Sequence, residues 1–431
     1  MNKKPINRDK TYGLVLTGGG TKGCYEIGAW KALEELKIKI SAVAGTSIGA
    51  INGAFYVQND FELAYDIWTN IKIEDFISIE SDSPLQLFVG TIKEKGLDIT
   101  PLKKMMHQYF DEDKIRASDV DYGLVTFSLS DLKPVMLLKS DIPKGHLIDY
   151  IMASASLPIF KPTVIEGMKF VDGAIYDNVP VPLLIKAGCK DIIVIDISSF
   201  GIDRKYTAEK VGADTLHTIQ STSDLLGTLE FNQEKINHGI EMGYLDTMKA
   251  FGELYGAKYY FSHNIDEYEK SKLLHPITDD EISKIFDWIQ DDSEDTKRTA
   301  SYSLIKKLYE YSNDRPTTKS MLQSCIEIAA EIFEIKRVKV YSGIELYEAV
   351  VAKYLETKSS IDFLESRKSL LSLYKAMDFN NIHKKNLVAY FISLSEKNWV
   401  SKKYLLKFLP KVYITYLFFK FMRTRDPRLT E

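Results

Sequence analysis

The stretch Tyr12–Thr17 (YGLVLT), followed at once by GGGTKG at residues 18–23, decides the fold. A short apolar run that ends in glycines is typical of a buried strand. Apolar spacing over Lys22–Leu36 predicts a helix, Ile40–Ala44 (ISAVA) predicts a second strand, and Ile48–Val57 predicts a second helix. This β–α–β–α order indicates a parallel sheet with right-handed crossovers.

Later segments extend the pattern of an α/β domain. Further strands are predicted at Gly123–Ser128, Val135–Lys139, Ile192–Ile197 and Tyr259–Ser262, the last as the closing strand of this domain. A helix is predicted at Ile148–Ala155. In Val179–Leu184, Pro180 and Pro182 argue against a central strand and suit the opening of a helix.

From about Leu274 the chain changes character, because glycine becomes rare and amphipathic helical patterns dominate. We therefore expect an α/β domain over residues 10–270 and a helical domain or appendage over residues 275–431. The helical patterns are Ile282–Ile289, Ala300–Tyr311, Lys319–Phe333, Ile344–Leu355, Asp362–Met377 and Lys385–Ser395.

Charge balance and cysteine spacing bear on the binding partners and on the compartment of the protein. The 56 Lys and Arg residues nearly balance the 60 Asp and Glu residues, which argues against a nucleic-acid-binding protein. Cys24, Cys189 and Cys325 are widely separated, with neither metal-ligand spacing nor a disulfide framework, which favours a reducing compartment.

The chain shows no sequence signal for export or membrane insertion. Residues 1–10 are polar and basic without a secretory h-region, and no stretch of about 18 apolar residues predicts a membrane span. We expect a cytoplasmic protein able to associate peripherally with a membrane. No ligand cluster and no D-x-D-x-D-G calcium loop occurs, so we expect neither metal nor cofactor.

The glycine loop allows more than one interpretation. Gly18, Gly20 and Gly23 satisfy G-x-G-x-x-G, but dinucleotide binding needs an acidic residue at the end of the second strand. AGTS occupies that place at residues 44–47, and Glu34 and Glu35 lie on the intervening helix. The sequence thus disfavours a nucleotide site, while a purely structural glycine turn stays an alternative.

The end of the second strand carries GTSIG at residues 45–49, which matches the G-x-S-x-G nucleophile elbow. Gly45 and Gly49 would relieve crowding in a tight strand-to-helix turn and leave the Ser47 hydroxyl exposed. Because the two motifs end successive parallel strands, the glycine loop should lie next to Ser47 Oγ. Its N–H groups could then bind the oxyanion of a tetrahedral acyl intermediate.

A nucleophilic serine needs a base, and FVDGA at residues 170–174 offers one. Asp172 would end an apolar strand, and Gly173 would let it sit in the same crevice as Ser47. Alone, D-G-A is a common turn. Because it follows the glycine loop and the elbow in the chain, here it is stronger evidence that Asp172 is the base.

GGGTKG, GTSIGA and DGA, in this order, resemble the three signatures of patatin-like phospholipases. GTSIGAINGA, ASASLP at Ala153–Pro158 and DNVP at Asp177–Pro180 are similar to the family's pattern, and the resemblance spans Tyr12 to Ser262. It implies a three-layer α/β/α fold with a mostly parallel central sheet.

The resemblance also implies roles for individual residues. Ser47 would attack the ester carbonyl, and Asp172 would accept its proton in a Ser–Asp dyad. Main-chain N–H groups of Gly18, Gly19 and Gly20 would form the oxyanion hole. Lys22 matches a basic position of the loop, where it would either order the loop or favour an anionic headgroup. Supporting positions are Gly23, Gly45, Gly49 and Gly173.

An ordinary α/β-hydrolase would use a Ser–Asp–His triad. Five histidines follow Asp172, at positions 217, 238, 263, 275 and 383. None lies in a recognisable loop after a late strand, and His217 falls in Thr215–Gln220 (TLHTIQ), which we interpret as helical. Only one βα unit separates the glycine loop from the elbow. The sequence therefore favours the dyad.

The segment 402–425 holds seven Lys and Arg residues and no acid, interleaved with aromatic residues. It could lie in an anionic membrane interface, or form a terminal helix packed on the helical domain.

These patterns predict a serine lipid acyl hydrolase of the phospholipase A or lysophospholipase type, acting on a membrane glycerolipid or lysolipid. The alternative is a partner- or ligand-activated effector lipase, or a binding module, whose helical region docks a partner or membrane.

Overall fold

The computed structural model describes residues 5–78, 97–197, 205–221, 225–262, 304, 306–312, 318–360, 384–393 and 409–430. The chain forms two compact units, an N-terminal unit of Pro5–Gly252 and a C-terminal unit within Glu253–Glu431. The boundary expected between residues 270 and 275 lies outside the described residues, so those domain limits stay a prediction.

The N-terminal unit is built on one twisted sheet in the order β5-β6-β3-β2-β1-β7-β8, with β4 paired to β3. Pairs among β1, β2, β3, β7 and β8 are parallel, whereas β4 and β6 run antiparallel to β3, and β5 antiparallel to β6. The strands are β1 Thr11–Leu16, β2 Lys39–Thr46, β3 Asp121–Ser128, β4 Lys133–Leu138, β5 Thr163–Ile165, β6 Met168–Asp172, β7 Asp191–Asp196 and β8 Thr215–Gln220.

Nine α-helices are described in this unit, with 3₁₀ turns at Gly20–Gly23, Ile73–Asp75, Lys139–Asp141 and Gly173–Ile175. The helices are α1 Cys24–Glu35, α2 Ile48–Gln58, α3 Phe61–Asn70, α4 Thr100–Tyr109, α5 Glu112–Ala117, α6 Leu147–Ser154, α7 Val181–Lys186, α8 Ala208–Val211 and α9 Gln233–Ala250. As expected, the proline-containing segment opens a helix, with Pro180 at the N-cap of α7.

Helices cover both faces of the sheet and give the expected three-layer α/β/α fold. Successive strand residues point to opposite faces, and Val15, Ala44 and Val194 pack in one cluster with Leu184 of α7. On the other face, a Cβ built on Gly53 of α2 would lie 3.1 Å from Val43 Cγ1. The sequences of the buried parallel strands are continuous apolar runs because helices cover both faces of the sheet.

Two expectations about strands and helices were wrong. Thr215–Gln220 is not helical but forms β8, paired in parallel with β7 along its whole length. Six residues are too few for periodicity to separate the two states, and the threonines and isoleucine favour a strand. His217 lies opposite Ile193, three strands away from β2 in the sheet order. It therefore offers no support for a triad.

The segment Tyr259–Ser262 does not close the large sheet. Its strand, β9 Tyr260–Phe261, pairs in parallel with β10 Val340–Tyr341 in a two-stranded sheet of the C-terminal unit. An aromatic run of this kind fits any half-buried strand. Its partner lies 80 residues later, where the sequence pattern carries no matching signal.

The C-terminal unit contains the helices α10 Thr318–Ile332, α11 Gly343–Ser360, α12 Lys384–Ser393 and α13 Pro410–Met422. The first three agree with the predicted helical patterns within a few residues. The patterns at Ile282–Ile289 and Asp362–Met377 lie outside the described residues, and that at Ala300–Tyr311 is only partly described.

The basic, aromatic C-terminal segment contributes α13 to the core of this unit. Val412, Ile414, Phe418 and Phe419 are each no more than 1% exposed. Lys411 pairs with a glutamate of α10, Glu331, at 2.5 Å. Most of the described apolar side chains of this segment are therefore packed inside the C-terminal unit. Among the described residues no helix is both long and apolar enough to span a bilayer.

Candidate active site

Strand β3 brings the elbow and the acidic motif together. Thr46, the last residue of β2, lies opposite Val125, while Asp172, the last residue of β6, lies opposite Thr126. The two strands therefore end at consecutive positions along β3, although one runs parallel to it and the other antiparallel. This arrangement places Ser47 and Asp172 in the same crevice.

Ser47 occupies a strained turn between β2 and α2. Its φ of 58° and ψ of −128° are unusual for a residue with a side chain. The turn is tight, because a Cβ on Gly45 would lie 2.2 Å from Gly49 O, and one on Gly49 would lie 2.2 Å from Leu16 O. Only glycine fits at either position, as the elbow pattern predicts.

Asp172 holds the Ser47 hydroxyl directly. Ser47 Oγ donates to Asp172 Oδ2 at 2.6 Å, and the Ala174 N–H donates to Asp172 Oδ1 at 2.8 Å. The Asp172 carboxyl is fully buried, and burial raises its pKa to about 7, against the opposite influence of these two hydrogen bonds. A carboxylate with this pKa can exchange a proton with a serine hydroxyl near neutral pH.

The acidic turn is as crowded as the elbow. A Cβ on Gly173 would lie 2.2 Å from the carbonyl oxygen of Val125. The Asp172 N–H donates to Ser156 O at 2.7 Å. Gly173 thus lets the Asp172 backbone approach β3 closely, and Ser156 fixes it there.

The glycine loop lies beside Ser47, as expected from neighbouring parallel strands. A Cβ on Gly18 would be 3.0 Å from Ser47 Cβ. The Gly18 N–H already donates to Asn178 Oδ1 at 2.9 Å, and Asn178 Nδ2 donates back to Gly18 O at 3.1 Å. The main chain of Gly18 is therefore hydrogen-bonded to the Asn178 side chain of the DNVP segment.

The far end of the loop is fastened to Gly227 and Thr228. Thr21 donates from its N–H to Thr228 O at 2.9 Å and from its hydroxyl to Gly227 O at 2.6 Å. Gly20 has a φ of 61°, and a Cβ there would lie 2.0 Å from Thr228 O, so glycine is required. Lys22 is half-buried in the same 3₁₀ turn.

Comparison with known proteins finds similar sequences for the part of the chain that carries these residues. Residues 14–185 match the family model described as patatin-like phospholipase. The chain contains a patatin-like phospholipase domain. It is 29% identical over 202 residues to mouse patatin-like phospholipase domain-containing protein 6, covering 44% of this chain and 14% of that protein. It is 30% identical over 193 residues to the lysophospholipase NTE1 of Kluyveromyces lactis, covering 43% of this chain and 12% of that protein.

The chain thus spans only about a seventh of the length of these curated relatives. Among solved structures it is similar to VipD from Legionella pneumophila, with a TM-score of 0.35 and 15% identity over 95% of this chain and 92% of that chain. It is also similar to the type III effector ExoU, with a TM-score of 0.32 and 11% identity over 96% of this chain and 78% of that chain.

Two side chains of the patatin-like domain were not given roles from the sequence. Asn178 binds the glycine loop, and Ser154 binds the elbow, accepting from the Ser47 N–H at 3.0 Å and donating to Val125 O at 2.7 Å. Both lie in segments that the resemblance singled out, DNVP and ASASLP. A polar residue within an apolar context was the available signal.

A buried polar network lies behind the loop and the elbow. Asn52 of α2 donates to Glu26 Oε2 at 2.7 Å and to Gly23 O at 3.1 Å, and accepts from Trp68 Nε1 at 3.0 Å. Burial raises the pKa of Glu26 well above its ordinary value. The network ties α1, α2 and α3 to the end of the 3₁₀ turn through the buried Glu26 carboxyl. Within the described residues, no group of acidic, histidine or cysteine side chains could hold a metal ion.

Proposed function

We propose that the protein is a serine lipid acyl hydrolase in which Ser47 and Asp172 form a catalytic dyad. The observation that carries the proposal is the 2.6 Å hydrogen bond from Ser47 Oγ to a fully buried carboxylate within a patatin-like phospholipase domain. The strained elbow and the adjacent glycine loop support it.

In the first half of the reaction Ser47 Oγ bonds to the ester carbonyl carbon while its proton passes to Asp172 Oδ2. The tetrahedral intermediate collapses, the carbon–oxygen bond to the leaving alcohol breaks, and Asp172 returns the proton to that alcohol. A water then attacks the acyl-serine and gives its proton to Asp172. The fatty acid leaves as Ser47 Oγ recovers this proton.

The oxyanion would be bound by the glycine loop. Because the Gly18 N–H is engaged by Asn178, we assign the donors to Gly19 and Gly20, with Gly18 holding the loop in place. Each such donor is typically worth about 10²–10³-fold in rate. Lys22, half-buried in the same turn, would order the loop or attract an anionic headgroup.

We infer that the substrate is a membrane glycerolipid or lysolipid, since the relatives are named phospholipase and lysophospholipase. The proposed chemistry uses main-chain N–H groups and a carboxylate, and so needs no metal or cofactor. We do not assign a membrane contact to residues 402–425, because the described part of this segment is packed into the C-terminal unit.

A fluorophosphonate probe tests the dyad. We expect covalent labelling of the wild-type protein, none of Ser47→Ala, and strongly reduced labelling of Asp172→Asn. Ser118→Ala serves as the control, since Ser118 caps α5 away from the site, and should be labelled like the wild type. A folded wild-type protein that neither reacts with the probe nor hydrolyses a soluble ester would contradict the proposal.

A further inference from the structure

Exposed apolar side chains of the N-terminal unit occur together at one place. Among its described residues, the large hydrophobic side chains with high exposure are Leu129 at 37%, Leu132 at 76% and Val164 at 56%. Single exposed apolar residues need no explanation, but three in one place do.

Two of the three lie in one cross-strand row with a lysine. Val164 of β5 pairs directly with Lys169 of β6, and the Leu129 N–H donates to Lys169 O at 2.8 Å at the end of β3. Directly opposite residues point to the same face of a sheet. On the other face, Ile165 and Phe170 are buried with Ala153 of α6. The row is thus an uncovered apolar face with one exposed cation.

Leu132 ends the β3–β4 turn next to Leu129 and adopts a φ of 55°. A positive φ is costly for a bulky side chain. The turn nevertheless presents this side chain to solvent, where an asparagine or glycine would be more favourable. Folding of the hairpin alone does not account for a leucine there.

The row lies at the edge of the sheet that carries the candidate dyad. β3 continues three residues past Val125, which lies opposite the end of β2, and so its tip projects about 10 Å beyond the level of Thr46. Leu129 and Leu132 flank that tip. The tip therefore extends past the end of β2 on the side of the sheet where Ser47 lies.

We propose that Leu129, Leu132, Val164 and Lys169 form an interfacial patch that seats the patatin-like domain on a phospholipid surface. A long lysine side chain can extend its ammonium toward lipid phosphates while its methylenes lie along the apolar row. Two acids lie nearby: Asp131 is 3.3 Å from Lys133, and the exposed Glu166 is 3.6 Å from the imidazole of His146, a pair that is ionic only when His146 is protonated.

A lipid surface fits the patch better than a second protein does. A stable protein interface buries about 800 Å² on each partner, and three partly exposed aliphatic side chains fall well short of this. Insertion into the headgroup region needs only a few such side chains and a cation. The choice of lipid as the occupant rests on the proposed function.

Site-specific fluorescence tests the patch without catalysis. The three native cysteines are buried, so Leu132→Cys, Val164→Cys and the control Lys39→Cys can each be labelled with nitrobenzoxadiazole in a Ser47→Ala background. Lys39 is exposed at the amino end of β2, the opposite edge of the sheet. With phosphatidylcholine vesicles containing phosphatidylserine, we expect blue-shifted emission and quenching by bilayer nitroxides at 132 and 164 only.

Two results would overturn the patch: failure of the protein to sediment with the vesicles, or sedimentation with no emission change at 132 and 164. Loss of a dimer on Leu132→Asp, seen by analytical ultracentrifugation, would assign the surface to a second copy instead.

The same patch predicts a kinetic split in the active protein. Leu132→Asp should lower vesicle hydrolysis about 10-fold or more and leave hydrolysis of a soluble ester unchanged, with Lys39→Asp altering neither. Equal hydrolysis of vesicles by Leu132→Asp and wild type would count against the patch. If the wild type hydrolyses nothing, the proposed function fails, while the fluorescence result still decides the patch.

Discussion

The Ser47 hydroxyl donates to Asp172 across 2.6 Å, and that carboxylate is fully buried. Desolvation therefore opposes its ionisation, whereas the serine favours it, and its pKa is raised to about 7. The proposed base must be ionised to accept a proton. Near neutral pH, we therefore expect the proposed dyad to be divided between an ionised and a protonated form.

We expect kcat/KM for a soluble ester to rise with pH through about pH 7 and then level off, because Asp172 acts only when ionised. The measurement is a pH–rate profile from pH 5 to 9, corrected with Ser47→Ala for background hydrolysis. A profile that is flat across this range would show that Asp172 is not the titrating base.

The same carboxyl should make Asp172→Asn more stable than the wild type at high pH. The pKa of Asp172 is about 7 in the folded protein and about 3.9 in the unfolded chain. The contribution of this carboxyl to the free energy of unfolding is therefore fully present below pH 4 and is lost as pH rises through 7. The loss is roughly 4 kcal/mol for three pKa units. Asparagine does not ionise, so Asp172→Asn does not lose stability in this way as pH rises.

Urea unfolding of both proteins at pH 5 and pH 8 checks this. The advantage of Asp172→Asn should be clearly larger at pH 8. Burial raises the pKa of Glu26 in both proteins alike, so any pH dependence from this residue cancels in the comparison. An advantage that does not change with pH would mean that Asp172 is ionised throughout.

Asn178 should matter for turnover through the glycine loop. Asn178→Ala removes both hydrogen bonds to Gly18 and leaves its buried N–H and C=O without partners, at a cost of about 1–3 kcal/mol. A loosened loop should lower kcat about 10- to 100-fold with a smaller change in KM. Asn237→Ala, on the exposed side of α9, is the control. An unchanged kcat in a folded Asn178→Ala protein would show that Asn178 does not contribute to turnover.

The parallel half of the fold follows from local sequence. β1, α1, β2 and α2 show clear apolar runs bounded by glycines, and a right-handed crossover then puts the glycine loop beside Ser47. The antiparallel pairing of β6 with β3 has no such signal in the sequence. Asp172 and Thr126, which lie opposite each other in this pair, are 46 residues apart in the chain. The Asn178–Gly18 bond spans 160 residues. Such contacts depend on tertiary packing that no local pattern encodes.

Glu26 should behave as a neutral acid. Glutamine matches a protonated carboxyl in shape, so Glu26→Gln should change the free energy of unfolding by less than about 1 kcal/mol at pH 7. Glu26→Ala removes the acceptor of Asn52 and leaves a cavity, at a cost of about 2–4 kcal/mol. Chemical denaturation measures both. Equal losses in the two variants would indicate an ionised Glu26.

The C-terminal helix α13 should act as core rather than as a membrane contact. Phe419 is fully buried, with ring centroids 4.7 Å from Tyr354 and 5.7 Å from Phe333, so Phe419→Ala should cost about 3–5 kcal/mol. Phe421, on the same helix but only partly buried, is the matched control and should cost less.

Vesicle sedimentation completes the test of α13. A cation at a membrane surface contributes about 1 kcal/mol, or about fivefold in binding. Because the apolar face of α13 is occupied within the protein, Arg425→Glu should change vesicle binding by less than this factor. A larger loss, together with a mild effect of Phe419→Ala, would instead mean that α13 leaves the core when the protein meets a membrane.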